Sequence, residues 1–67
     1  MNLPRVLIVE DEHALALALA AAVRKASVDS DLAPTAAQAR RHLDSPTNYE
    51  AMILDIGLPD QNGLEFL

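Results

Sequence analysis

The sequence predicts an α/β fold, half of a doubly wound parallel sheet, with elements in the order β-α-β-α-β followed by the start of a third helix. Two short runs, Val6-Leu7-Ile8-Val9 and Ala51-Met52-Ile53-Leu54, are apolar at every position, the pattern of strands covered on both faces. Helix-forming stretches separate the strand-like segments, and strands joined through helices run parallel. The length of 67 residues bounds the chain to one small domain, or a piece of one, over residues 1–67.

The first strand, Arg5 to Val9, follows Pro4 and ends in the acidic triplet Glu10-Asp11-Glu12. A helix is expected over Ala14 to Ala26. Its Leu-Ala-Leu-Ala-Leu core has a period of two, but alanine and leucine are the strongest helix formers and alanine is depleted in strands. Leu15, Ala18, Leu19, Ala22 and Val23 fall at helical spacing and are expected to form the inward stripe, with Leu17 off it. Glu12 at the start and Arg24-Lys25 at the end suit the helix macrodipole.

Val28 to Ala33 alternates polar and apolar residues, as an edge strand does. Thr35 stands as the N-cap of a second helix over Ala36 to Leu43. Ala36, Ala39 and Leu43 are its expected apolar face, with Arg40-Arg41 in solvent. Asp44 to Asn48 has loop composition. The third strand, Ala51 to Leu54, runs into Asp55, and Asn62-Gly63 opens a third helix of which Leu64 to Leu67 is present.

Composition narrows the function classes. The absence of cysteine excludes disulfides and thiolate zinc sites. A chain below ~70–80 residues without those staples relies on association or on more chain to complete its core. The net charge of −5 argues against a nucleic-acid surface, which needs a basic patch. Tyr49 and Phe66, read as packing residues, offer no stacking platform for bases. The apolar run Ala14 to Val23 is too short to span a bilayer. Acids precede it where a secretion signal carries positive charge, so a cytoplasmic chain is expected. His42, beside Arg41 on a helix, reads as a surface or boundary residue rather than a ligand.

The acids carry the chemistry. In open parallel sheets, sites form beyond the carboxyl ends of the strands. The first strand ends in Glu10-Asp11 and the third in Asp55, so three carboxylates converge if these strands are neighbours. Taken singly, the pair reads as a helix cap and Asp55 as the start of a turn; their coincidence at two buried strand ends points to a site. Like charges ~4 Å apart repel by ~4 kcal/mol at an effective dielectric near 20, so such a cluster calls for a neutralising partner. Oxygen-only ligands suit Mg²⁺. Gly57, two residues after Asp55, suits a turn whose carbonyl joins the shell, and Pro59 stiffens the exit.

The segments Val6-Leu7-Ile8-Val9-Glu10-Asp11-Glu12 and Leu54-Asp55-Ile56-Gly57-Leu58-Pro59-Asp60-Gln61-Asn62-Gly63-Leu64 together resemble the N-terminal half of a response-regulator receiver domain, the phosphoacceptor module of two-component signalling. The resemblance implies a flavodoxin-like sheet of order 2-1-3-4-5, of which strands 2-1-3 are present, with a sensor histidine kinase as partner. It makes Asp55 the phosphoacceptor and assigns Mg²⁺ to Asp11, Asp55 and the Gly57 carbonyl, with Glu10 acting directly or through water. Aspartate is commoner at the Glu10 position, and is frequent where Asn62 stands.

Two further residues of that family, a hydroxyl after the fourth strand and a lysine after the fifth, do not occur here. The only lysine is Lys25. A truncated receiver is therefore expected, with weak Mg²⁺ binding and slow or no phosphorylation. The edge of its third strand would be bare, so homodimerisation or higher self-association is expected. One rival is a non-catalytic dimerisation or interaction module. Another, an aspartate-nucleophile phosphohydrolase, usually needs a second aspartate where Gly57 stands. A calcium loop around Asp60 to Gly63 would place its first ligand on Leu58.

Overall fold

The computed structural model describes residues 3–54. Its elements are β1 (Arg5–Val9), α1 (His13–Lys25), β2 (Asp29–Ala33), α2 (Ala36–Asp44) and β3 (Ala51–Leu54). The expected third helix lies outside the described residues. The strands form one parallel sheet in the order β2-β1-β3. Register runs from Arg5↔Asp29 to Val9↔Ala33 on one side of β1, and from Val6↔Ala51 to Val9↔Leu54 on the other.

The central strand explains its own sequence. With neighbours on both edges and helices packed on the sheet, Leu7, Ile8 and Val9 lose all contact with solvent. Each such side chain contributes ~1.5–3 kcal/mol on burial. Leu7 and Val9 join Ala33, Ala36 and Ala39 in a cluster beneath α2, with Tyr49, Met52 and Leu54 packed at its margin. Alternation turns Val6 and Ile8 to the opposite face. The alanines of α2 bring helix and sheet close together.

Thr35 caps α2 as expected, its Oγ1 accepting the Gln38 N–H at 3.1 Å. The end of α1 is a Schellman closure. The Val28 N–H donates to the Val23 carbonyl at 3.0 Å and the Ser27 N–H to the Arg24 carbonyl at 2.9 Å. Ser27 adopts φ 63°, the left-handed position usually given to glycine.

Two expected faces are corrected. In α1 the sheet-facing residues are Ala16, which is buried, and the partly buried Leu19, Ala20 and Val23. Leu15 is 43% exposed, and Ala18 and Ala22 are also exposed. The stripe is rotated because a segment apolar all round has no polar face to fix its orientation; the small Ala16 is the residue that allows close approach. In α2, Leu43 is 46% exposed rather than part of the apolar face, which ends with Ala39.

Candidate functional site

The carboxyl end of β1 carries an acidic pair held in two different environments. Glu10 is only 8% exposed, and its N–H donates to the Ala33 carbonyl at 3.1 Å, which continues the sheet one residue past the strand. Its Oε2 accepts the Asp11 N–H at 3.1 Å. Asp11 itself is exposed. The N-cap of α1 is Glu12, which makes no side-chain cap bond. The capping explanation for the acids therefore finds no support in this helix start.

β3 lies directly beside β1, with Leu54 opposite Val9. The end of β3 thus reaches the level of Glu10, and Asp55 follows Leu54 in sequence. Asp55 and Gly57 lie outside the described residues, so Glu10 and Asp11 are the site residues whose surroundings are visible. Among the described residues no group of three or more His, Cys, Asp or Glu is placed to hold a metal. A cleft of about 660 Å³ lies at the opposite ends of the strands between Pro4, Arg24, Asp29 and Asn48. Its size does not make it the site, because Arg24 and Asp29 there neutralise each other.

The matching family is the response regulator receiver domain, over residues 6–67. The chain belongs to the response regulator receiver domain family. Receiver domains are signalling phosphoacceptor modules rather than enzymes of the ordinary kind, and the parallel 2-1-3 sheet is the first part of their flavodoxin-like fold. This receiver chain is 38% identical over 63 residues to the transcriptional regulatory protein BasR of Escherichia coli K12, covering 94% of this chain and 28% of that protein. A sensor protein from Polaromonas sp. JS666 has a crystal structure that superposes with a TM-score of 0.88 at 40% identity. The non-phosphorylated HemR receiver domain of Leptospira biflexa superposes at 0.81 with 32% identity. Each comparison covers 94% of this chain and 50% of the solved one. The receiver chain thus spans about half the length of those structures and about a quarter of BasR.

At the far end of the receiver sheet lies a polar network that the sequence reading missed. The Asp31 carboxylate receives Arg5 Nη1 at 2.7 Å on one oxygen and the Tyr49 hydroxyl at 2.6 Å on the other. Asp29 pairs with Arg24 and, at 3.7 Å, with Arg5. Nδ1 of His42 lies 3.3 Å from the Tyr49 oxygen, and the two rings meet edge to face at 6.5 Å. Burial, then the hydrogen bond and charge of Asp31, push the Tyr49 phenol up from 10 to about 12, against a smaller downward pull from Arg5. Tyr49 is thus more than a packing residue. A signal was present in Asp29-Ser30-Asp31, where two acids face the same side of a strand and call for a cation.

Proposed function

We propose that this chain is the phosphoacceptor part of a two-component phosphorelay, with Asp55 taking a phosphoryl group from a phosphohistidine of a sensor histidine kinase. The observation that carries the reading is the Val9↔Leu54 register, which brings the end of β3 beside the buried Glu10 and the exposed Asp11. In this reading a carboxylate oxygen of Asp55 attacks the phosphorus. The P–N bond breaks with its electron pair passing to the imidazole nitrogen, and a mixed anhydride forms on Asp55.

Glu10, Asp11, Asp55 and the Gly57 carbonyl would hold Mg²⁺, an assignment supported by the oxygen-only donors at the end of β1. When bound, the ion offsets charge on the transferring group. Lys25 sits in the last turn of α1, which begins near the acids, so the length of the helix, roughly 20 Å, separates it from them. Slow phosphorylation of the 67-residue chain is the expected behaviour. No helix among the described residues is long and apolar enough to cross a membrane; the cytoplasmic setting we propose rests on the receiver family.

A second reading, an interaction module that self-associates without phosphorylation, draws support from β3. It is an edge strand among the described residues, with Ala51 exposed and Met52, Ile53 and Leu54 only partly buried. Incubation with acetyl phosphate and Mg²⁺, followed by intact mass and peptide mapping, separates the readings. The phosphoacceptor reading expects slow incorporation confined to the peptide bearing Asp55 and lost in Asp55→Asn. Incorporation that survives D55N overturns it. No incorporation, together with unchanged self-association in D55N, favours the interaction module.

A further inference from the structure

The outer side of β2 presents main-chain polar groups that its own sheet does not use. The Asp29 N–H donates to the Pro4 carbonyl at 2.9 Å, and the Ala33 carbonyl accepts from the Glu10 N–H at 3.1 Å. Alternate residues of a parallel strand turn their polar groups to the same side, so Asp29, Asp31 and Ala33 serve β1. Ser30 and Leu32 turn theirs outward, since β2 is at the edge of the sheet among the described residues. Arg5 reaches the Ser30 carbonyl in a long contact of 3.5 Å. Among the described residues, the Ser30 N–H and both main-chain groups of Leu32 are left for a further strand.

Beside Leu32 lies a shallow cleft of about 240 Å³, lined by Leu32, Pro34, Gln38, Arg41 and His42. Gln38, Arg41 and His42 stand at i, i+3 and i+4, on one face of α2. The Gln38 side-chain carbonyl is shielded from solvent and has no hydrogen-bond partner among the described residues. An orphan acceptor of this kind is costly, and its soft terminal torsion lets it turn toward a donor arriving in the cleft.

We propose that the outer edge of β2 docks an extended peptide segment of a partner protein, which places one neutral carboxamide side chain in the cleft. Strand addition would use the Ser30 and Leu32 main chain. The carboxamide is the group that satisfies the lining: its N–H donates to Gln38 Oε1 while its oxygen accepts from Arg41. With the Gln38 amide in the orientation shown, a carboxylate has no proton for Oε1, and an ammonium is repelled by Arg41. A second copy of this chain is disfavoured by charge, because each copy carries a net −5. None of these residues takes part in the phosphoacceptor reading, so either stands if the other fails.

The test is an NMR titration of the ¹⁵N-labelled chain with an end-blocked peptide of alternating threonine and valine around a central glutamine. Saturable shifts and slowed hydrogen exchange at the Ser30 and Leu32 amides, with shifts of the Gln38 side-chain amide, are the expected result. Gln38→Leu, or a peptide with leucine in place of the central glutamine, should bind about tenfold more weakly, the effect of one lost hydrogen bond. The peptide variant gives the answer even if Q38L does not fold. Absence of saturable shifts at Ser30 and Leu32 up to millimolar peptide overturns the proposal, as does equal binding of the leucine peptide. Shifts that depend on protein concentration alone would assign the edge to self-association instead and overturn it as well.

Discussion

The Tyr49 hydroxyl oxygen lies 2.6 Å from a carboxylate oxygen of Asp31 and 3.3 Å from Nδ1 of His42. A phenol has one proton, and the charged acceptor takes it. The contact joins the lead into β3 to β2 and to the last turn of α2, so three elements share one hydroxyl.

Stability should fall in alkali because of that hydroxyl. The folded phenol titrates near 12 and the unfolded one near 10. Between those values the unfolded chain has released the proton while the folded chain still holds it. The contribution is therefore complete below pH 10 and is lost as pH rises through about 12. Tyr49 is the only tyrosine, so its absorbance reports the titration directly. Tyr49→Phe should lower stability by about 1.5–3 kcal/mol at neutral pH, the range for a hydrogen bond to a charged group, and abolish the alkaline slope. A variant with the same slope as the parent would contradict this.

The same geometry assigns a tautomer. With the phenol proton given to Asp31, the Tyr49 oxygen offers lone pairs to His42, and Nδ1 must be the N–H nitrogen. Long-range ¹H–¹⁵N correlation spectra of the neutral imidazole should show Nδ1 protonated and Nε2 bare. In Tyr49→Phe this preference should disappear. The opposite tautomer in the parent chain would mean that the 3.3 Å contact is not a hydrogen bond.

Ser27 holds a left-handed conformation in the Schellman closure of α1. For a residue with a Cβ that conformation costs roughly 1–2 kcal/mol. Glycine removes the cost but loosens the unfolded chain by ~0.4–1 kcal/mol. Ser27→Gly should therefore stabilise by about 0.5–1 kcal/mol in urea unfolding, and Ser27→Val should destabilise.

Thr35 supplies the side-chain cap of α2. Thr35→Ala should cost about 1 kcal/mol, and Thr35→Asp should restore it. Because Ala36 and Ala39 of that helix cover Leu7 and Val9, loss of the cap should also speed hydrogen exchange in the middle of β1.

Element types and most boundaries were legible in the residues. Val6 to Val9 and Ala51 to Leu54 are apolar without alternation, which already states that both faces are covered. Thr35 announces its helix because a hydroxyl ahead of a helical run has one favourable role. The Glu10-Asp11 pair stood out because acids interrupt an apolar run at the end where sheet chemistry occurs. The resemblance to receiver domains supplied the 2-1-3 order, and the register then placed β3 beside the acids.

The rotation of α1 was not legible. Ala14 to Val23 is apolar at every position, so nothing local prefers Leu15 or Ala16 toward the sheet, and close packing on β1 and β2 makes the choice. Asp29 and Asp31 called for a cation, but their partners in the Arg5–Asp31–Tyr49–His42 network were hidden, because its members are up to 44 positions apart and meet only once the sheet forms. Local pattern could specify each strand and helix, since propensity and alternation act over a few residues. Which side chains meet across elements was settled by packing and register, which act between residues remote in the chain.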